Sequence, residues 1–275
     1  MRIVTFCLVD GNPRPGILLE DGIIDLSEQK FESVLELIAG GGKAVAEGRK
    51  VPLDVATLLA PIENPPRIFC IGLNYRDHAI ESGMEIPAVP TVFLKLASAI
   101  VGPGAPIVLP KNSRQPDYEA ELAVVIGQGG FRIGANAWKE HVFGYTILND
   151  VSARDVQLAT SQWTLGKSFP TFCPMGPAIV TADAIPDPHA LDIRLSIDGE
   201  EMQHSNTREL IFRIPELIEY ISSITPLEAG DVISTGTPQG VGLGRKPQRW
   251  LVPGETVTVS VEGLGELVNR TVAEE

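Results

Sequence analysis

Short apolar runs separated by Gly, Asn, Asp and Pro fill most of the chain, and many of them are rich in β-branched residues. Runs of this length and punctuation predict strands. The N-terminal stretch yields three, at 3–9, 16–19 and 23–26, followed by helical spacing at 31–39 and 43–48. The segment Leu59-Ala60-Pro61-Ile62-Glu63-Asn64-Pro65-Pro66 then reads as a Pro-rich connector. This predicts a small N-terminal α+β domain over 1–64 and a larger domain over 65–275. In the larger part, strands are predicted at 68–71, 91–95, 119–126, 142–148, 177–180, 191–197, 232–235, 256–261 and 266–272. Helices are predicted at 75–82, 152–159 and 214–223, the last with Leu217, Ile218 and Ile221 on one face. Strands dominate without regular helix alternation, so the pattern predicts a β-rich α+β fold rather than a parallel βαβ fold.

Within the strand at 119–126, Glu119 and Glu121 are two apart and project to the same face. Two anions on one face of an apolar strand repel each other and lose hydration, and a cation between them makes the pair tolerable. Asp150 closes a second apolar run, Gly144-Tyr145-Thr146-Ile147-Leu148-Asn149. Together the three acids offer an all-oxygen ligand set of the kind Mg²⁺ or Mn²⁺ prefers. Spacing alone favours a solvated edge-strand face over an ion; the place of the acids at the mouths of two apolar strands shifts the balance toward the ion.

Composition narrows the class. The 275 residues are 44% apolar and 21% charged, as in an ordinary globular protein. A net charge of −13 argues against nucleic acid or an anionic membrane as partner. A small anionic substrate would need capture by local positive groups. Three cysteines, Cys7, Cys70 and Cys173, lie far apart in apolar runs and read as reduced thiols of a cytoplasmic protein. The first apolar run is too short for a signal peptide, and nothing approaches the roughly 18–20 apolar residues of a membrane-spanning helix.

Four polar segments carry further chemistry. His78 and Glu81 are three apart on a predicted helix and can pair as an oriented general base, or as a surface ion pair. Arg154 and Gln157 share a face and can hold a carboxylate and a carbonyl, although Arg154 can equally pair with Asp150 or Asp155. Lys167 lies among aromatic residues, where a lysine needs an anionic partner unless it snorkels to the surface. The run from Gly230 to Gly242 includes Thr235-Gly236-Thr237-Pro238, a loop of backbone N–H groups and hydroxyls that suits a carboxylate and matches no nucleotide motif.

In this order, these segments resemble the fumarylacetoacetate hydrolase family. The resemblance rests on Gly72-Leu73-Asn74-Tyr75 with Asp77-His78, Tyr118-Glu119-Ala120-Glu121-Leu122, and Asn149-Asp150-Val151-Ser152-Ala153-Arg154-Asp155. It continues through Gly166-Lys167-Ser168-Phe169, Gln203 to Thr207, and Thr235-Gly236-Thr237-Pro238-Gln239-Gly240-Val241-Gly242. It implies a mixed β-sandwich roll, a homodimer and a Mg²⁺ or Mn²⁺ ion held by Glu119, Glu121 and Asp150. It further implies a water-activating dyad of His78 and Glu81 on a lid helix, with Lys167 steadying an oxyanion. Arg154, Gln157, Gly236 and Thr237 would position a small anionic keto-acid substrate. The implied reaction is hydrolysis of a C–C bond in an acylpyruvate-like diketo acid through a metal-stabilised enolate, with oxaloacetate decarboxylation or hydroxymuconate-type isomerisation as alternatives. Pro170 stands where many members carry Asp.

Overall fold

The computed structural model describes residues 1–275 except 10, 30, 43, 45, 82 and 84. Its core is organised around the strand Ala120–Ile126, buried at every position. Leu122, Val124 and Ile126 enter one hydrophobic core, whereas Ala123 and Val125 enter another on the opposite face. The strand's period-two alternation therefore feeds two cores at once, which explains why its sequence is continuously apolar from Leu122 onward. Glu119 and Glu121 continue the face of Ala123 and Val125.

Among the described residues, a mostly antiparallel twelve-stranded sheet surrounds this strand. Val142–Asn149 and Val232–Ser234 flank it antiparallel, and Ile68–Gly72 runs parallel to Val232–Ser234. Thr91–Lys95 ends that side of the sheet. On the other side, Cys173–Thr181 pairs with Arg2–Cys7, so the N-terminal segment extends the same sheet. Ile3 and Ile17 also share a core with Val125 and Leu148. A five-stranded sheet of Glu200–Asn206, Asp192–Ile197, Thr256–Val261, Gly265–Ala273 and Ile107–Leu109 packs over the other face, where Ile193, Leu195, Val257 and Val259 meet the central strand's residues. The helix Ile214–Ile224 buries Leu217, Ile218 and Ile221 in this same core.

Some expected elements take another form. The helix predicted at 152–159 is reduced to Arg154–Gln157, preceded by Ser152–Ala153 paired with Pro116–Asp117. Its backbone donors turn to distant acceptors: Ala153 N–H to Gly166 O and Arg154 N–H to Gln115 O. Two further strands emerge from weak patterns. Ile107–Leu109 has three residues, and Glu200–Asn206 is a polar edge strand with one side open to solvent. The helical stretch at 43–48 falls partly on residues outside those described. Among the described residues, no helix is long and apolar enough to cross a membrane.

Candidate functional site

Strand pairing assembles the carboxylates. Ala120 sits opposite Asn149, so the residues just beyond the paired region, Glu119 and Asp150, lie side by side. The Asn149 side chain accepts from Glu119 N–H at 3.0 Å, and Asp150 N–H donates to Glu119 O at 2.9 Å. Glu119, Glu121 and Asp150 each offer an oxygen within 4.8 Å of the others, and all three are buried.

They form the floor of a cavity of about 190 Å³. His78, Arg154, Gln157, Lys167 and Thr237 complete its polar lining, while Phe93, Leu158, Trp163 and Leu243 supply an apolar side. Trp163 packs edge-on against Phe93 at 5.5 Å between ring centroids, and Lys167 Nζ lies 5.2 Å from the Phe93 ring centre. A Cβ on Gly72 would strike the Trp163 ring, so the glycine permits that ring to rest on the backbone.

Charges alternate beneath the cavity. Arg154 Nε binds Asp117 at 2.8 Å and its Nη2 binds Glu119 at 2.5 Å. Lys167 Nζ bridges Glu119 and Asp150 at 2.7 Å each, and Lys95 Nζ binds the other Asp150 oxygen at 2.6 Å. The sequence Asp117–Arg154–Glu119–Lys167–Asp150–Lys95 is thus a ladder in which each inner anion lies between two cations. Burial alone would raise the Glu119 carboxyl, but Arg154 and Lys167 outweigh it and hold it well below the usual range. Burial likewise opposes the charge on Lys167 and on Arg154, yet their carboxylate partners leave both bases raised.

Glu121 stands outside the ladder. Its hydrogen-bond donors are neutral, the Ser234 hydroxyl at 2.5 Å and Gly236 N–H at 2.9 Å. Burial and the negative charges of Asp150 and Glu119 push its carboxyl well above the usual range. Four buried acids, Asp117, Glu119, Glu121 and Asp150, therefore face three buried lysine and arginine cations, and Glu121 is the acid without a cationic partner. An all-oxygen donor set with an unbalanced negative charge fits Mg²⁺ or Mn²⁺.

The six-residue helix Arg76–Glu81 forms one wall. His78 is buried, and its Nδ1 has no hydrogen-bond partner. Glu81 Oε2 lies 3.5 Å away, too far for a good hydrogen bond. Glu81 instead accepts from Gly240 N–H at 3.0 Å through both oxygens. The dyad is thus brought together but not joined.

The glycine-threonine loop does bind carboxylates, but they are the protein's own. Gly236 N–H serves Glu121, Gly240 N–H serves Glu81, and the N–H groups of Gly242 and Leu243 serve Asp117 at 2.7 and 3.0 Å. Gly236, expected at the substrate, is absent from the cavity lining and lies behind Glu121. Its φ of +99° places it where a side chain is strained, and a Cβ there would crowd Asn74. Thr237 does reach the cavity. Its hydroxyl accepts from Gln203 Nε2 at 2.9 Å, which leaves its own proton for a ligand. Gln157 accepts from Arg154 Nη1 at 3.0 Å, and so directs its amide nitrogen elsewhere. Arg154 pairs with neither Asp150 nor Asp155, the partners its spacing allowed, but with Asp117 and Glu119.

Sequence reasoning did not single out Lys95 or Asp117. Both stood beside informative residues, Asp117 directly before Tyr118-Glu119 and Lys95 at the end of an apolar strand. Pro170 is exposed and lines a separate depression with Phe169 and Lys111, so the departure from Asp falls outside the cavity. Cys70 and Cys173 are buried free thiols, and burial pushes the Cys173 thiol up to about 12.

Comparison with known proteins agrees with this geometry. Residues 67–272 match the model of the fumarylacetoacetate (FAA) hydrolase C-terminal family. Oxaloacetate tautomerase fahd2 of Xenopus laevis, described as mitochondrial, is 44% identical over 99% of this chain and 90% of its own length. The crystal structure of 5-carboxymethyl-2-hydroxymuconate delta-isomerase from Mycobacterium smegmatis superposes with a TM-score of 0.84 at 37% identity, covering all of both chains. Maleylpyruvate hydrolase from Sphingobium sp. SYK-6, solved with manganese(II) and pyruvate, gives a TM-score of 0.84 at 30% identity, again over all of both chains. With the motifs, the buried acids and these likenesses in agreement, the chain belongs to the fumarylacetoacetate hydrolase family of enzymes.

Proposed function

We propose that the cavity performs enolate chemistry on a small 2-keto acid, and that its main reaction is keto–enol interconversion of an oxaloacetate-like substrate. The observation that carries this reading is the His78 imidazole, which lines the cavity and makes no hydrogen bond to Glu81 through its buried Nδ1, while Glu81 is occupied by Gly240. Interconversion moves a proton between the carbon beside the keto group and the keto oxygen, so it needs one group that takes the proton from one of these atoms and delivers it to the other. A single imidazole suffices for that. Support also comes from the Xenopus laevis relative, whose name describes an oxaloacetate tautomerase.

Glu119, Glu121 and Asp150 would hold Mg²⁺ or Mn²⁺, which supplies a Lewis acid that polarises the keto oxygen. The remaining work falls to the chain. Lys167 uses two of its three donors on Glu119 and Asp150 and keeps one for the oxygen on which negative charge develops. The Gln157 amide and the Thr237 hydroxyl can orient the substrate carboxylate. Phe93 and Trp163 exclude water from the Lys167 side, which strengthens its electrostatic effect.

A second reading, C–C hydrolysis of an acylpyruvate-like 2,4-diketo acid, is favoured by the 3.5 Å approach of His78 and Glu81. A small rotation of Glu81 away from Gly240 would join them, and the imidazole could then deprotonate a water. The Sphingobium relative is named a hydrolase of maleylpyruvate, which supports this reading in turn. The two separate in one experiment. With Mg²⁺ or Mn²⁺ present, the decay of enol-oxaloacetate absorbance and the cleavage of an acylpyruvate are followed on the same preparation. The tautomerase reading predicts enol decay well above the metal-only rate, with kcat/KM exceeding that for cleavage. The reverse ratio would replace it with hydrolysis.

A further inference from the structure

One buried cation of the ladder reaches neither solvent nor the cavity. Lys95 ends the strand Thr91–Lys95, and its side chain is fully buried and absent from the cavity lining. An ammonium has three donors, and here all three find acceptors. They are Asp150 Oδ1 at 2.6 Å, Val151 O at 3.1 Å and the carbonyl oxygen of Lys167. The acceptors come from two segments distant in sequence, one bearing Asp150 and the other Lys167.

The consequence is geometric. With Oδ1 held by Lys95, Asp150 turns its Oδ2 toward Lys167 Nζ and the cavity. With its backbone carbonyl held by the same ammonium, Lys167 is fixed at the root of the side chain that reaches Glu119 and Asp150. We infer that Lys95 is a positioning residue, orienting Asp150 toward a bound divalent ion and Lys167 toward the substrate oxygen while touching neither. This rests on the three carboxylates being the ion site. Partners that orient metal ligands from behind are typically worth about 10–100-fold in metal affinity.

A role limited to charge neutralisation has the opposite consequence. Removing a positive charge close to a cation site lowers repulsion and tightens cation binding. The sign of the change therefore separates the two roles.

The test titrates the metal-free full-length chain with Mn²⁺, read by electron paramagnetic resonance, for the native protein, Lys95→Met and Lys95→Arg. Circular dichroism checks that each is folded. Positioning predicts Mn²⁺ affinity about 10–100-fold weaker in both variants. Tighter or unchanged binding in Lys95→Met overturns the inference. Should the methionine variant fail to fold, the arginine variant decides, because it keeps the charge and alters the geometry. Native affinity in Lys95→Arg then overturns positioning, and weakened affinity supports it. Absence of Mn²⁺ binding by the native chain would instead overturn the ion-site reading, and this inference with it.

Discussion

On the floor of the cavity, Glu119 and Asp150 each lie between two cations, whereas in the helix Arg76–Glu81 His78 Nδ1 has no hydrogen-bond partner and Glu81 rests on a single backbone N–H. The floor grows from strands buried on both faces, and its side chains hold one another through ion pairs too buried for solvent screening. The helix Arg76–Glu81 has six residues, with Ile80 67% exposed, and is too short to be stable by itself. The difference fits the two tasks of the proposed reaction. Groups that hold charge work best when fixed in advance, while a group that must move protons and admit a ligand needs freedom to change partners. Glu81, placed between Gly240 N–H and His78, is the point at which that freedom is built in.

The floor is where disruption has the largest predicted effect. Glu121→Gln removes the anion that the ladder leaves uncompensated. Mn²⁺ binding should be lost, and turnover should fall on the order of 10³-fold or more, since the ion contributes several kcal/mol of charge stabilisation. Calorimetric titration with Mn²⁺ alongside the enol-decay assay checks both. Native Mn²⁺ affinity in this variant would contradict the assignment of Glu121 as a ligand.

The same residue gives a smaller, pH-dependent effect. The ordinary carboxyl value is 4.5, and Glu121 is raised well above it in the folded, metal-free chain by burial and by the anions of Asp150 and Glu119. Between those values the folded state binds more protons at Glu121 than the unfolded state, so this group's contribution to the stability of the metal-free protein falls as pH rises. Glu119, lowered rather than raised, is ionised in both states above 4.5 and contributes no slope in that window. Glu121→Gln, always neutral, should therefore melt higher than the native metal-free chain at pH 8, with the gain shrinking toward pH 5. Each kcal/mol corresponds to about 2–4 °C for a chain of this size. A gain that grows as pH falls would reverse the assigned direction.

The floor was also the more legible half. Strand alternation alone placed Glu119 and Glu121 on one face, and an apolar run led to Asp150, because period-two geometry is local. The ladder was not legible from local pattern. Lys95 and Asp117 act through partners 55 and 37 residues away, and spacing along the chain does not encode such pairings. The loop from Thr235 to Leu243 was recognisable as a carboxylate receptor, but nothing local revealed that Glu121, Glu81 and Asp117 would fill it. The shortened helix at 154–157 has a similar cause, since the backbone groups of residues 153 and 154 are captured by Gly166 and Gln115. In the helix Arg76–Glu81, sequence placed His78 and Glu81 on one face but could not show that Glu81 turns to Gly240.

In the proposed reaction this site moves a proton at the carbon beside a keto group, with His78 as the carrier. Its most direct measurement is deuterium exchange at the C3 position of a simple 2-keto acid in D₂O, followed by proton NMR with Mg²⁺ present. The native chain should catalyse exchange well above the metal-only rate, and His78→Ala should lower it about 10²–10⁴-fold while keeping metal affinity within a few-fold of native. Undiminished exchange in His78→Ala, or no enzyme-dependent exchange in the native chain, would rule out His78 as that carrier.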